Sequence, residues 1–167
     1  TGGSLLITST NTSRTVALSG DLTVTGGSLA LTGSSGTGTL NVTGGVSISG
    51  GMATLSNGSG TGVLTVSGGV NLTGGTLNMN GSTGASTLNV AGNFAQTSSN
   101  ILTRTSTGTG TIVFNGTIGQ LFTTGGAITN GVNITISNTS GVTLGSDISG
   151  LNGTLRMNSL AVLDLSS

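Results

Sequence analysis

Few side chains in this sequence could carry out catalysis. The acidic residues are Asp21, Asp147 and Asp164, while Lys, Glu, His and Cys are absent. Glycoside hydrolysis needs two neighbouring carboxyl groups, and a hydrolytic triad or a zinc site needs imidazole or thiolate groups. Asp21 and Asp147 each follow small turn-forming residues, which is typical of a carboxylate that stabilises a turn. The sequence therefore predicts a protein that is not an enzyme and has no cofactor and no metal site.

Threonine hydroxyls are the chemical group that recurs at regular spacing. They fall into two sets, offset by two residues along the chain and interrupted by Val63 and Ala85. The threonines that we assign to a candidate surface-binding face are Thr15, Thr37, Thr39, Thr61, Thr87, Thr109 and Thr111. Such a face could order water at an ice surface or bind polar glycans. It could also be purely structural, because Thr is favoured in strands and pairs well between neighbouring strands.

Charge and hydropathy argue against two classes of partner. The net charge is zero and only 4% of residues are charged, so the clustered cations that bind nucleic acid or an anionic membrane surface are missing. No apolar run approaches the length of a membrane-spanning helix, which predicts no membrane insertion. We expect Arg14, Arg104 and Arg156 on the solvated surface or at corners, with contact to a glycan or a carboxylate as the alternative.

The apolar residues that must position these threonines recur every 24 residues. A unit repeated at such a period cannot bury its own apolar side, so neighbouring copies must stack around one shared core. One predicted column is Val16, Leu40, Leu64, Leu88 and Ile112, and another is Leu22, Val46, Val70, Phe94 and Ile118. Two further columns are Leu29, Ala53, Leu77 and Ile101, and Leu31, Leu55, Met79 and Thr103.

Within one coil, polar and apolar residues alternate and glycine pairs separate the alternating runs. In the coil that contains Leu40, the pairs Gly44-Gly45 and Gly50-Gly51 predict corners between three short strands. After residue 112 the equivalent strands begin at Ile112, Ile134 and Leu155, which are 22 and then 21 residues apart. The predicted fold is all-β: a right-handed parallel β-helix (β-solenoid) of about seven coils, with turns of roughly 24 residues that shorten to about 21–22 after residue 112.

We predict one domain, a single β-solenoid segment over residues 1–167 that belongs to a longer chain. Residues 1–111 form the regular 24-residue coils, and residues 112–167 form shorter, less regular coils. Phe114 and Phe122 are expected to fill the less regular part of the core. Because an unpaired strand edge is a template for another strand, the terminal rungs could also support end-to-end self-association.

Two stretches resemble the repeat arrays of large surface adhesins of Bacteroidota. They are Gly108-Thr109-Gly110-Thr111-Ile112-Val113-Phe114-Asn115-Gly116-Thr117 and Val132-Asn133-Ile134-Thr135-Ile136-Ser137-Asn138-Thr139-Ser140-Gly141-Val142-Thr143-Leu144, followed by Leu151-Asn152-Gly153-Thr154-Leu155-Arg156-Met157. More generally the chain is similar to filamentous-haemagglutinin and autotransporter β-solenoid stalks. The resemblance implies a bacterial protein exported by type IX secretion to the cell surface or the medium, where it serves cell adhesion.

The leading functional hypothesis is a non-catalytic structural and adhesive repeat segment of a secreted or cell-surface adhesin or extracellular filament. Its expected partners are glycans or cell-surface polymers, and other rods joined end to end through terminal rungs, but not nucleic acid. The alternative is an ice-binding β-solenoid that uses the Thr-rich flat face. A third hypothesis, a polysaccharide-active β-helix enzyme, is the weakest because it would have to work with isolated carboxylates such as Asp21 or Asp147.

Overall fold

The computed structural model describes residues 3–97, 101–126 and 128–165. These residues form sixteen β-strands, and no helix occurs among them. In chain order the strands are β1 Ser4–Thr8, β2 Arg14–Leu18, β3 Leu22–Thr32, β4 Gly38–Val42, β5 Val46–Ser56, β6 Thr61–Val66, β7 Val70–Asn80, β8 Ala85–Val90, β9 Phe94–Gln96, β10 Ile101–Thr103, β11 Thr109–Phe114, β12 Gln120–Thr124, β13 Asn133–Ile136, β14 Val142–Leu144, β15 Leu155–Met157 and β16 Leu163–Asp164.

The strands form two parallel sheets that the chain visits alternately. Sheet I contains nine strands in the order β1-β3-β5-β7-β9-β12-β14-β16, with β10 paired to β7. Sheet II contains seven strands in the order β15-β13-β11-β8-β6-β4-β2. Every pairing between them and their neighbours is parallel, which gives a β-solenoid of about six turns with a spacing of about 24 residues, close to the predicted seven coils.

Sheet II confirms the main predicted column. Leu64 pairs with Leu40 on one side and with Leu88 on the other, and Leu88 pairs in turn with Ile112. The shortening after residue 112 is also confirmed, because Ile112 pairs with Ile134 and Ile134 with Leu155. The inner members of this column are buried, so aliphatic side chains lie one above another along the rod and share a single core.

The three short strands predicted for each coil are two in the regular coils. The second and third form one long strand, β3, β5 or β7, that bends at a glycine pair where the register shifts. The second glycine of the pair has a positive φ, 69° at Gly51, and a Cβ atom there would lie 2.5 Å from the carbonyl oxygen of Gly27. Only glycine combines this backbone conformation with such close coil contact.

In sheet I the 24-residue register ends earlier than predicted. Leu77 pairs with Leu102 and not with Ile101, so the strand β10 is displaced by one residue. The predicted position of Thr103 above Met79 is therefore wrong, because Thr103 pairs with Asn78. One residue has been gained between β9 and β10, which moves the apolar column from an odd to an even position of the strand.

The predicted position of Ile118 above Phe94 is also wrong. Phe122 pairs with Phe94, because the corner between β11 and β12 is four residues longer than the corner between β8 and β9. Ile118 lies in this longer corner with 71% of its surface exposed. Phe114 and Phe122 fill the core as predicted, and their ring centroids lie 4.8 Å apart and 6.3 and 5.5 Å from that of Phe94.

A buried amide network holds the longer corner in place. The Gln120 Nδ-bearing arm, through its Nε2, donates to the carbonyl oxygens of Val90 at 3.0 Å and Gly92 at 2.5 Å. Its Oε1 accepts from the backbone N–H of Gly116 at 3.0 Å and from Asn138 Nδ2 at 2.9 Å. Since a buried polar group is costly unless paired, these bonds specify how the extra residues are folded.

A polar side chain also fixes the loop that leads from sheet I to sheet II in successive coils. Ser56 Oγ donates to the carbonyl oxygen of Gly60 at 2.8 Å, and Asn80 Nδ2 donates to that of Gly84 at 2.8 Å. The equivalent donors are Thr8 to Thr12, Thr32 to Gly36 and Arg104 to Gly108. These residues recur every 24 positions, so each coil closes its loop with a hydrogen bond to a residue four positions ahead.

Candidate binding face

The seven threonines of the predicted face lie together on the outer side of sheet II. Within β8 the residues alternate strictly between buried and half-buried, so the intervening side chains point outward. Thr15 pairs with Thr39 and Thr87 with Thr111, while Thr61 and Thr109 both pair with Ala85. Thr37 immediately precedes β4, where its carbonyl oxygen accepts a 2.8 Å hydrogen bond from the Arg14 backbone N–H.

The hydroxyl groups of these threonines are available to a ligand. Thr15 and Thr109 are exposed, and the other five are half-buried. Within the described ranges, none of the seven hydroxyls forms a hydrogen bond to another residue. Strand spacing places neighbouring members of a column about 4.8 Å apart, and members of adjacent columns about 6.7 Å apart along a strand. The result is a regular two-dimensional array of hydroxyl and methyl groups.

The sequence analysis missed a third outward column on the same face. Its members are paired from strand to strand and are Ala17, Asn41, Thr65, Asn89, Val113, Thr135 and Arg156. The same signal, alternation by two and recurrence by 24, was present for these positions but is less visible because the residue types vary. The column adds amides and one guanidinium to a face that otherwise presents threonine.

The acidic residues lie apart from this face. Asp21 precedes β3 at a corner, where its Oδ1 accepts a 2.7 Å hydrogen bond from the backbone N–H of Gly45 in the next coil. This confirms the predicted turn-stabilising role of Asp21. Asp147 follows β14 in an exposed loop, and Asp164 lies in β16. In the part of the chain that the structure describes, no three residues of the types His, Cys, Asp and Glu are grouped so that they could hold a metal ion.

Arg104 lies at a corner, as predicted, but it is half-buried and structural. Its Nε donates to the carbonyl oxygen of Asn130 at 2.6 Å, and one terminal nitrogen donates to Gly108. Arg14 and Arg156 are both exposed and lie in sheet II, in β2 and β15 respectively. The two free guanidinium groups therefore stand near opposite ends of the sheet that carries the threonine face.

The outer side of sheet I has a different character. A shallow trough of about 370 Å³ runs along the corner where its strands begin, with Asp21 at one end and Asn93 near the other. Its floor includes Gly45 and Gly69, and its lining is mainly apolar in area. Asp21 and Asn93 both use their side-chain oxygens for backbone N–H groups, of Gly45 and Leu121. The trough thus offers few polar groups for recognition.

Comparisons with protein-family models, curated proteins and solved structures gave no match for this chain. Among the described residues, no helix is long and apolar enough to cross a membrane. The fold itself is that of a structural repeat domain, a parallel β-solenoid of the general β-helix stalk kind. Its specific role has to be argued from the surface.

Proposed function

We propose that this chain is a structural and adhesive repeat segment of a secreted or cell-surface adhesin or extracellular filament, and that it is not an enzyme. The observation that carries the proposal is the in-register array of unpartnered threonine hydroxyls on sheet II, supported by a continuous buried core. A rigid rod with an uncharged, hydroxyl-rich face suits many weak hydrogen bonds to polymers. The resemblance to Bacteroidota adhesin repeats, and with it export by type IX secretion, is part of the proposal.

The proposed partners are glycans or cell-surface polymers on the threonine face. A neighbouring coil or rod is the second kind of partner, because β2 and β15 are the edge strands of sheet II and expose Val16, Leu155 and Met157. An open parallel edge with exposed core residues favours further strand pairing. Neither kind of partner requires a cofactor.

The proposal is tested by adhesion of beads that carry residues 1–167 to surfaces coated with neutral and acidic glycans. We expect retention above that of albumin-coated beads, because many weak contacts add up on a bead. A double variant, Thr39→Lys with Thr87→Lys, disrupts the threonine face, while Thr23→Lys with Asn71→Lys places the same charges on exposed positions of sheet I. Loss of retention only in the first variant supports the proposal, and wild-type beads that adhere to no glycan surface contradict it.

Ice binding is the second candidate, and the regular spacing of the same hydroxyl and methyl groups favours it. An ice-binding face would lower the freezing temperature without lowering the melting temperature and would slow ice recrystallisation. We would expect both effects to vanish in Thr39→Lys and Thr111→Lys, whose side chains lie in one outward column. Absence of thermal hysteresis in the wild-type chain at millimolar concentration would exclude this candidate.

A further inference from the structure

The outer face of sheet II changes at β13 and β15. Thr111, Asn133 and Thr154 continue one outward column, and Thr135 and Arg156 continue the next. Together these five side chains line a shallow polar cleft of about 180 Å³. Pockets for drug-sized ligands measure about 300–1,000 Å³, so this cleft suits a smaller group such as one sugar residue.

The cleft is rich in donors that no part of the described protein uses. Arg156 is exposed, and no hydrogen bond or ion pair joins its guanidinium to another described residue. The Thr111 and Thr135 hydroxyls are likewise unpartnered within the described ranges. Asn133 uses its Oδ1 to accept the Thr154 backbone N–H at 2.9 Å, which fixes the side chain and leaves Nδ2 as a donor.

The charge of Arg156 has no acidic neighbour on this face. All outward members of its column are uncharged, namely Ala17, Asn41, Thr65, Asn89, Val113 and Thr135. A guanidinium presents several N–H donors in a planar fork that matches the two oxygens of a carboxylate. One isolated cation is too little for a nucleic-acid backbone, which requires several clustered cations.

We infer that this cleft binds the carboxylate of an acidic sugar residue, with Arg156 as the bidentate donor. Asn133 Nδ2 and the Thr111 and Thr135 hydroxyls contact the ring hydroxyls of the same residue. The inference rests on the proposed function, because it names the class of glycan and the part of the face that recognises it. The threonine columns towards β2 then serve the flanking, uncharged residues of the polymer.

The test measures binding of residues 1–167 to polygalacturonate by isothermal titration calorimetry. Arg156→Gln should raise the dissociation constant about tenfold, the effect of losing one charged hydrogen-bonded pair. Arg14→Gln removes the same charge from an exposed position of β2 and should change the constant less than twofold. Thr135→Val, which keeps the side-chain shape, should raise it about threefold. Circular dichroism spectra confirm that each variant is folded.

Methyl-esterified polygalacturonate, in which the carboxylates are neutral, should bind about tenfold more weakly to the wild-type chain and equally to Arg156→Gln. Equal binding of both polymers by the wild-type chain would overturn the inference, as would equal losses in the two arginine variants or no loss in Arg156→Gln. Bead adhesion separates this failure from that of the proposed function. Retention on neutral glycans without any dependence on Arg156 refutes the inference alone, whereas beads that adhere to no glycan refute both.

Discussion

The stacked core predicts that the same truncation has very different effects at two rungs of one column. Leu88 and Leu155 belong to the column that runs through Leu64, Ile112 and Ile134. Leu88 has no exposed surface, because coils cover it on both sides. Leu155 lies on an edge strand with 42% of its surface exposed. Leu88→Ala and Leu155→Ala therefore make the same chemical change in two different environments.

The expected free energies follow from burial. Removing three carbon atoms from a fully buried site costs about 2.4 kcal/mol in transfer free energy, and the cavity left between rigid coils raises this to about 3–4 kcal/mol. At Leu155 roughly three fifths of the transfer cost applies and no closed cavity forms. We expect about 1 kcal/mol there.

The measurement is urea unfolding monitored by far-UV circular dichroism, with the free energy of unfolding extrapolated to water. Leu88→Ala should lower that free energy by at least about 2 kcal/mol more than Leu155→Ala does. Amide hydrogen exchange should show that the Leu88 variant loses protection in its own and the adjacent coils, since repeat units depend on their nearest neighbours. A difference below about 1 kcal/mol would show that these leucines are not stacked in one packed column, and the reasoning would fail.

Two further predictions concern the loops between sheets. Ser56→Ala should cost about 1 kcal/mol by removing the donor to the Gly60 carbonyl, whereas Ser56→Asn should cost less than half as much because Asn80 makes the same bond one coil later; urea unfolding compares the two. Gly60→Ala should destabilise the fold by about 2 kcal/mol or more, since its Cβ would lie 2.1 Å from the Gly36 carbonyl oxygen. Gly20→Ala is the matched control, because no atom lies within 4 Å of the added Cβ. Equal melting temperatures for these two variants would contradict the proposed packing.

The regular coils could be predicted because the same alternation recurred at an unchanged interval. In sheet II this sufficed even where the interval shortened, as the pairs of Ile112 with Ile134 and of Ile134 with Leu155 show. It failed at Ile118, because an apolar residue in a lengthened corner looks like a core residue until its partner is known. Phe122 occupies that site instead.

The candidate site was predicted in part. The threonine columns were recognised because one residue type repeats in them, and all seven threonines do lie on one face. The third column was missed because its members differ in chemistry and share only their position. The cleft around Arg156 depends on side chains from three successive coils whose spacing is no longer 24 residues, so only the paired strands reveal it.

The longer corner between β11 and β12 shows how this architecture tolerates length variation. The chain needs 28 residues to travel from Phe94 to Phe122 in sheet I, yet only 22 from Ile112 to Ile134 in sheet II, and both sheets keep their parallel pairing. Extra residues are thus absorbed locally, and the pitch of the rod is unaffected. Diversity can accumulate at such corners as outward decorations, while the opposite face remains a constant ruler.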